Sequence, residues 1–239
     1  MNTFATAASV LPWADWAAVA LFFAAWAGYA TWARRRAEVR PSLLALTNRE
    51  RARWMMQTTW RENRVVDGVV VQNLSTSPSF FASTTILIIG GLLAVLSATE
   101  RASALVLELP FAARTSAIVF DMKVALLTAV FVYAFFRFTW SLRQYSFGAL
   151  LVAAAPDHKS WVNEAQRQAF ALRAGRVMGL AAETFNDGLR AYYMAFAATA
   201  WFLSPWAFMA GTAGVVWILY RREFHSDVLA VLADDASVV

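Results

Sequence analysis

Residues Phe80 to Ala98 read FFASTTILIIGGLLAVLSA, and they form the apolar heart of a longer stretch, Gly68 to Thr99, that holds no charged side chain. At 1.5 Å per residue this run makes about 30 Å of helix, the thickness of bilayer hydrocarbon. A soluble helix needs one apolar face, not an apolar circumference, so the stretch reads as a membrane span rather than a core helix. Ser77 offers an N-cap and Pro78 suits a first turn, which predicts a span over about 79–98.

The rest of the chain agrees with lipid as solvent. Of its 239 residues 59% are hydrophobic and only 15% charged, with eleven Trp and eighteen Phe, residue types that anchor helices at bilayer interfaces. Cysteine is absent, which excludes disulfides, thiolate catalysis and Cys-based metal sites. The net charge of +5 would suggest nucleic acid in a soluble protein. Here it reads as topology, because Arg and Lys collect on the cytoplasmic side of membrane proteins, and no nucleic-acid partner is expected.

Working outward, Trp16 to Ala33 is an uncharged run bracketed by Trp13, Trp16 and Trp32 and stopped by Arg34, Arg35 and Arg36. It reads as an uncleaved first span, about 14–33, with the N-terminus outside; no basic n-region of a secretory signal precedes it. Residues 34–77 hold nine Arg and four acidic residues. There Thr47-Asn48-Arg49-Glu50 has the form of a capping box, predicting a helix with Trp54, Val65, Val66, Val69, Val70 and Leu74 along one side. Its polar side either lies on the inner leaflet or is solvated and packed on neighbours.

Downstream, Thr99 to Thr115 carries only Arg101 and Arg114 as basic residues, is broken by Pro110, and is placed outside. A third span follows over about 116–136, with Asp121 and Lys123 in its outer third, pointing to different sides. Nothing stops that helix at Arg137, so it can run on to Ala155 before Pro156. Residues 137–189 are placed in the cytoplasm, with Ser160 as a cap and Gly175 and Gly179 at the spacing that lets helix backbones approach. Ala191 to Tyr220 is a thirty-residue uncharged run. As one helix it would be about 45 Å long. Ser204-Pro205 near its middle, between Trp201 and Trp206, argues for a hairpin of two short spans, about 190–203 and 206–220. Five spans put nine, seven and two basic residues in the three inner segments against two outside; the four-span alternative satisfies the charge rule less well. The expectation is an all-α, polytopic membrane protein, one membrane domain over 1–239, in a bacterial inner membrane with a periplasmic N-terminus.

Catalytic signatures are missing: no H-E-x-x-H, no G-x-S-x-G, no phosphate-cradling loop. No enzyme activity, cofactor or metal site is expected, and His158 and His225 read as surface residues. What remains is polarity at depth. Arg137, Ser141 and Gln144 share a helix face that Tyr133 extends outward, with Arg143 nearby; a charge there points to a protein interior or a water-filled cavity. Thr84 and Thr85 sit near the inner end of the second span, where hydroxyls can bond their own helix or glue two helices. The competing reading is that Arg137 snorkels to the inner headgroups. Glu183, Asp187 and Arg190 follow at one-turn steps, as a helical ion pair or as partners for Arg137 or Arg143 in a gate.

Taken together, RWMMQTTWRENRVVDGVVVQNL, FFASTTILIIGGLLAVL, FRFTWSLRQYSFGALLVAAAP and WAFMAGTAGVVWILYRREF resemble the bacterial and plant membrane family known as domain of unknown function 599. The likeness covers nearly the whole chain and implies one membrane domain; it brings no activity, cofactor or site. Two functions stay open. One is a homo-oligomeric channel or small-solute transporter, anions among its candidate solutes, with an arginine-rich cytoplasmic face. The other is a non-catalytic scaffold or accessory subunit with other membrane subunits as partners, packed through small residues such as Gly90-Gly91 and Gly211-x-x-Gly214. Lipid handling, with Arg and Tyr holding a phospholipid headgroup, is a third and lesser reading.

Overall fold

The computed structural model describes residues 11–37, 40, 42–99 and 116–235. All regular elements among them are helical: α1 (Trp13–Ala37), α2 (Leu43–Trp60), α3 (Val65–Ser97), α4 (Ala117–Ala153), α5 (Glu164–Thr199), a 3-10 turn (Ala200–Phe202), α6 (Pro205–Phe224) and α7 (Asp227–Asp235). Three of them, α1, α3 and α4, are long and apolar enough to cross a membrane. The expected outer segment with Arg101, Pro110 and Arg114 lies outside the described residues, as does the side chain of Arg34.

Local chemistry sets the helix ends, and it corrects four expectations. The capping box at Thr47–Glu50 is not a helix start. Helix α2 begins at Leu43, where the Ser42 hydroxyl accepts the Ala45 N–H at 3.1 Å, and Thr47 folds its own hydroxyl back on the Leu43 carbonyl at 2.9 Å. The single helix expected through Trp54 and Leu74 is broken at Arg61–Arg64. There the buried Asp67 carboxylate accepts from Trp54 Nε1 (2.7 Å), Thr58 Oγ1 (2.9 Å) and Arg61, drawing the end of α2 onto the start of α3. Its charge also suits the N-terminus of α3, where backbone N–H groups lack partners.

Because α3 starts on that anchor, Pro78 lies inside a 33-residue helix and does not open one. Proline there forfeits one backbone hydrogen bond, a loss that apolar helices in lipid sustain. Ser160 is likewise not the cap of α5. The reciprocal box is made by Asn163, accepting the Gln166 N–H at 2.9 Å, and Gln166, accepting the Val162 N–H at 2.9 Å. Elsewhere the expectation holds: α4 runs unbroken past Arg137, and the chain turns at Ser204, which caps α6 through the Ala207 N–H at 3.0 Å with Pro205 in its first turn.

Contacts divide the chain into two compact units. One comprises residues 1–39, 85–133 and 190–221. Its centre is aromatic: Trp201 stacks on Phe208 at 5.4 Å, and Phe208 meets Phe22 at 5.1 Å. Gly211 lies 3.6 Å (to a Cβ built on it) from Ala197 Cα, so α6 runs back along the end of α5 as a hairpin. Trp13 packs on Trp206 and Trp32 on Tyr220, which sets α1 parallel to α6.

The other unit comprises 40–84, 134–189 and 222–239. Its core gathers Met55 of α2, Val71 of α3, Tyr145 and Val152 of α4, and Phe170, Ala174 and Met178 of α5. Gly175 and Gly179 are used as their spacing suggested: a Cβ on Gly175 would sit 2.9 Å from Ala52 Cα, and one on Gly179 3.0 Å from Asn48 Oδ1. Two arginines pin the loop after α4. Arg64 donates to the carbonyls of Ala155 (2.8 Å) and Pro156, and buried Arg167 donates to those of Thr59 (2.7 Å) and His158 (2.6 Å) while lying 3.9 Å over the Trp60 ring.

Candidate functional site

The polar face of α4 meets α5 in the second unit. Arg137 forms an ion pair with Asp187. One turn on, the Ser141 hydroxyl donates to the Ala181 carbonyl at 2.8 Å, wholly buried. A Cβ on Gly148 would run into Met178, so the helices are antiparallel and the pairing steps along both. Gln144 continues the seam; it is 9% exposed, and its Oε1 has no hydrogen-bond partner. The Arg137 Nε is also buried without one. Beside Arg137, Phe138 packs against Phe81 and Phe185 and leaves no room for a Cβ on Gly188, so the ion pair sits in an aromatic wall.

Beyond Gln144 the seam widens into a network with α2. Glu183 accepts from Asn48 Nδ2 at 3.1 Å and from Arg176 at 3.4 Å. Arg51 donates to Asn48 Oδ1 at 2.8 Å and to Thr47 Oγ1 at 3.1 Å. Burial pulls the Arg51 guanidinium below its ordinary value, and the nearby Tyr145 and Glu183 oppose that shift. Burying charge costs several kcal/mol per ion unless it is paired. These helices therefore hold Arg137 by pairing it with Asp187, while Asn48 links Arg51 to Glu183.

Of the residues nominated from sequence, Arg137, Ser141, Gln144, Glu183 and Asp187 come together here. Glu183 meets Asn48 and Arg176, and Asp187 pairs with Arg137 of the neighbouring helix. Arg143 is exposed and leans over Phe147 at 5.9 Å. Thr84 bonds its own helix at the Phe80 carbonyl, 2.9 Å.

The others belong to the first unit. Thr85 is buried and shares a 2.7 Å hydrogen bond with the Tyr192 hydroxyl. Arg190 lies 5.8 Å over the Tyr29 ring. Tyr133 is half exposed, stands edge-on to Trp26 at 5.4 Å, and helps line a cavity of about 370 Å³.

Sequence reasoning missed a second charged centre in that unit. Lys123 is 2% exposed, with its Nζ 5.6 Å over Trp201 and 5.8 Å over Phe202. Asp15, buried as well, accepts the Trp201 Nε1–H at 2.6 Å and interacts electrostatically with Lys123. The signal was a lone acid and a lone lysine inside apolar runs. Asp121, two residues from Lys123, instead accepts from Thr99 Oγ1 at 2.6 Å.

Chemically, these arrangements can hold charge among apolar helices; among the described residues no three His, Asp or Glu side chains gather as a metal site. No curated protein and no solved structure matches the chain. One family profile does, over residues 17–228, and the chain thereby belongs to the family described as protein of unknown function, DUF599.

Proposed function

We propose that the protein is a homo-oligomeric membrane channel or small-solute transporter, with the Arg137–Asp187 pair as its charged gate. The observation that carries this reading is that pair itself, set on α4, a helix apolar enough to span a bilayer. Ionisable groups held at the inner end of a span are costly to bury, and such groups mark ion and solute pathways. Orphaned acceptor and donor atoms beside the pair, Gln144 Oε1 and Arg137 Nε, supply polar sites that a passing ion or its water could use. In this reading the chain makes five spans in a bacterial inner membrane, with the N-terminus periplasmic and the arginine-rich segments cytoplasmic.

Flux through reconstituted liposomes tests it. Wild type should pass a small anion or cation down a gradient; Arg137→Ala should change the rate at least tenfold, and Arg137→Asp with Asp187→Arg should restore part of it. Absence of flux under every gradient overturns the proposal. The scaffold reading is favoured by a different observation: Ser141 and Glu183 spend their hydrogen bonds within the chain, and glycines seat helix on helix. Purification from the native membrane as a single copy bound to different subunits would decide for it.

A further inference from the structure

Within the first unit, α1 and α6 run parallel and leave a groove of about 720 Å³ along their joint face. It extends from Leu21 to Arg36, which on a helix is about 22 Å, longer than the ~15 Å half-thickness of bilayer hydrocarbon. Its walls are apolar and aromatic, with Tyr29, Trp32, Trp217 and Tyr220 toward one end. That end is also the basic one. Arg36 lies 5.2 Å over the Trp32 ring and Arg221 5.2 Å over the Trp217 ring. Among the described residues neither guanidinium is ion-paired with a carboxylate, so both keep their N–H groups for an outside acceptor. At the other side of the floor, Gly28 has open space where its side chain would be: a Cβ there meets nothing within 4 Å.

We infer that this groove is a binding site for one anionic phospholipid, independent of the conduction proposed above. An acyl chain lies along the groove over Gly28, and the phosphate is gripped by Arg36 and Arg221. The charge pattern selects this occupant: a long apolar trough ending in two aromatic-seated cations matches an amphiphile with an anionic head. Arginine suits the task because its planar fork gives two N–H groups to one phosphate.

The test is native mass spectrometry of the full chain in non-ionic detergent, delipidated and then titrated with phosphatidylglycerol or phosphatidylcholine of the same chain length. Wild type should hold one phosphatidylglycerol at least tenfold more tightly than phosphatidylcholine. Arg36→Gln with Arg221→Gln should abolish that preference. Gly28→Leu, which fills the trough, should lose both lipids while helicity and melting temperature stay at the wild-type values.

Equal binding of the two lipids by wild type overturns the inference. So does unchanged phosphatidylglycerol retention in the double arginine variant. A wild-type dimer that Gly28→Leu converts to monomer also refutes it, since a second copy would then fill the groove. Should Gly28→Leu misfold, the arginine pair decides alone, because Arg221 is exposed and Arg36 half-buried and neither holds the core.

Discussion

Replacing Arg137 by methionine takes the guanidinium away from the Asp187 carboxylate between α4 and α5. Asp187 is 9% exposed, while Arg137 keeps 29% of its side chain open. Breaking a buried pair from one side costs about 3–5 kcal/mol; the partial opening at Arg137 lets water reach the acid, which places Arg137→Met at about 3 kcal/mol. Asp187→Leu should cost less, about 2 kcal/mol, because the long guanidinium stem can carry its charge toward water. Two apolar residues remove both buried charges but recover only part of the packing and none of the hydrogen bond, so the double variant should also cost only about 2 kcal/mol, a coupling of about 3 kcal/mol. SDS titration in mixed micelles, followed by helicity, measures all three. Additive losses, with coupling under about 0.5 kcal/mol, would refute a direct stabilising pairing of the two charges.

Three further perturbations probe the packing. Gly175→Leu drives a side chain into the Ala52 backbone and should cost about 1–3 kcal/mol, whereas Gly90→Leu enters open space and should stay within about 0.5 kcal/mol of wild type; equal melting curves for the two would contradict the close approach of α5 to α2. Asp67→Ala removes the acceptor shared by Trp54 Nε1, Thr58 and Arg61 at the α2–α3 turn, although Thr58 keeps the Trp54 carbonyl at 3.0 Å, and should cost about 2 kcal/mol, read as a lower unfolding midpoint; a loss below about 0.5 kcal/mol would mean that this turn is held otherwise. Thr85→Val and Tyr192→Phe each remove one interhelical hydrogen bond and should cost about 0.6–1 kcal/mol. Together they should cost no more than one alone, and full additivity would sink the shared bond.

What the residues announce without any fold is set by solvation and by short-range geometry. Phe80–Ala98 has no polar face to offer water, so a membrane-length helix follows from composition and length. Pro205 after a serine ends one helix and starts another, and Gly175 and Gly179 bring backbones together, because these effects act within a few residues. Arg137, Ser141 and Gln144 fall on one face by the helical period, and that face is the one α4 buries against α5.

The partners are another matter. That Arg137 takes Asp187 and not Glu183, that Lys123 settles between Trp201 and Phe202, and that α3 starts at Val65 with Pro78 in its interior depend on residues dozens of positions away. A charge in an apolar bundle accepts whichever opposite charge the packing brings within reach, since its desolvation must be offset by contact. Sequence thus determined that the chain carries helices long and apolar enough to cross a membrane, and where Ser204-Pro205 turns it. Tertiary structure alone decided which buried charges meet, because pairing energy falls off with distance in space and not with separation along the chain.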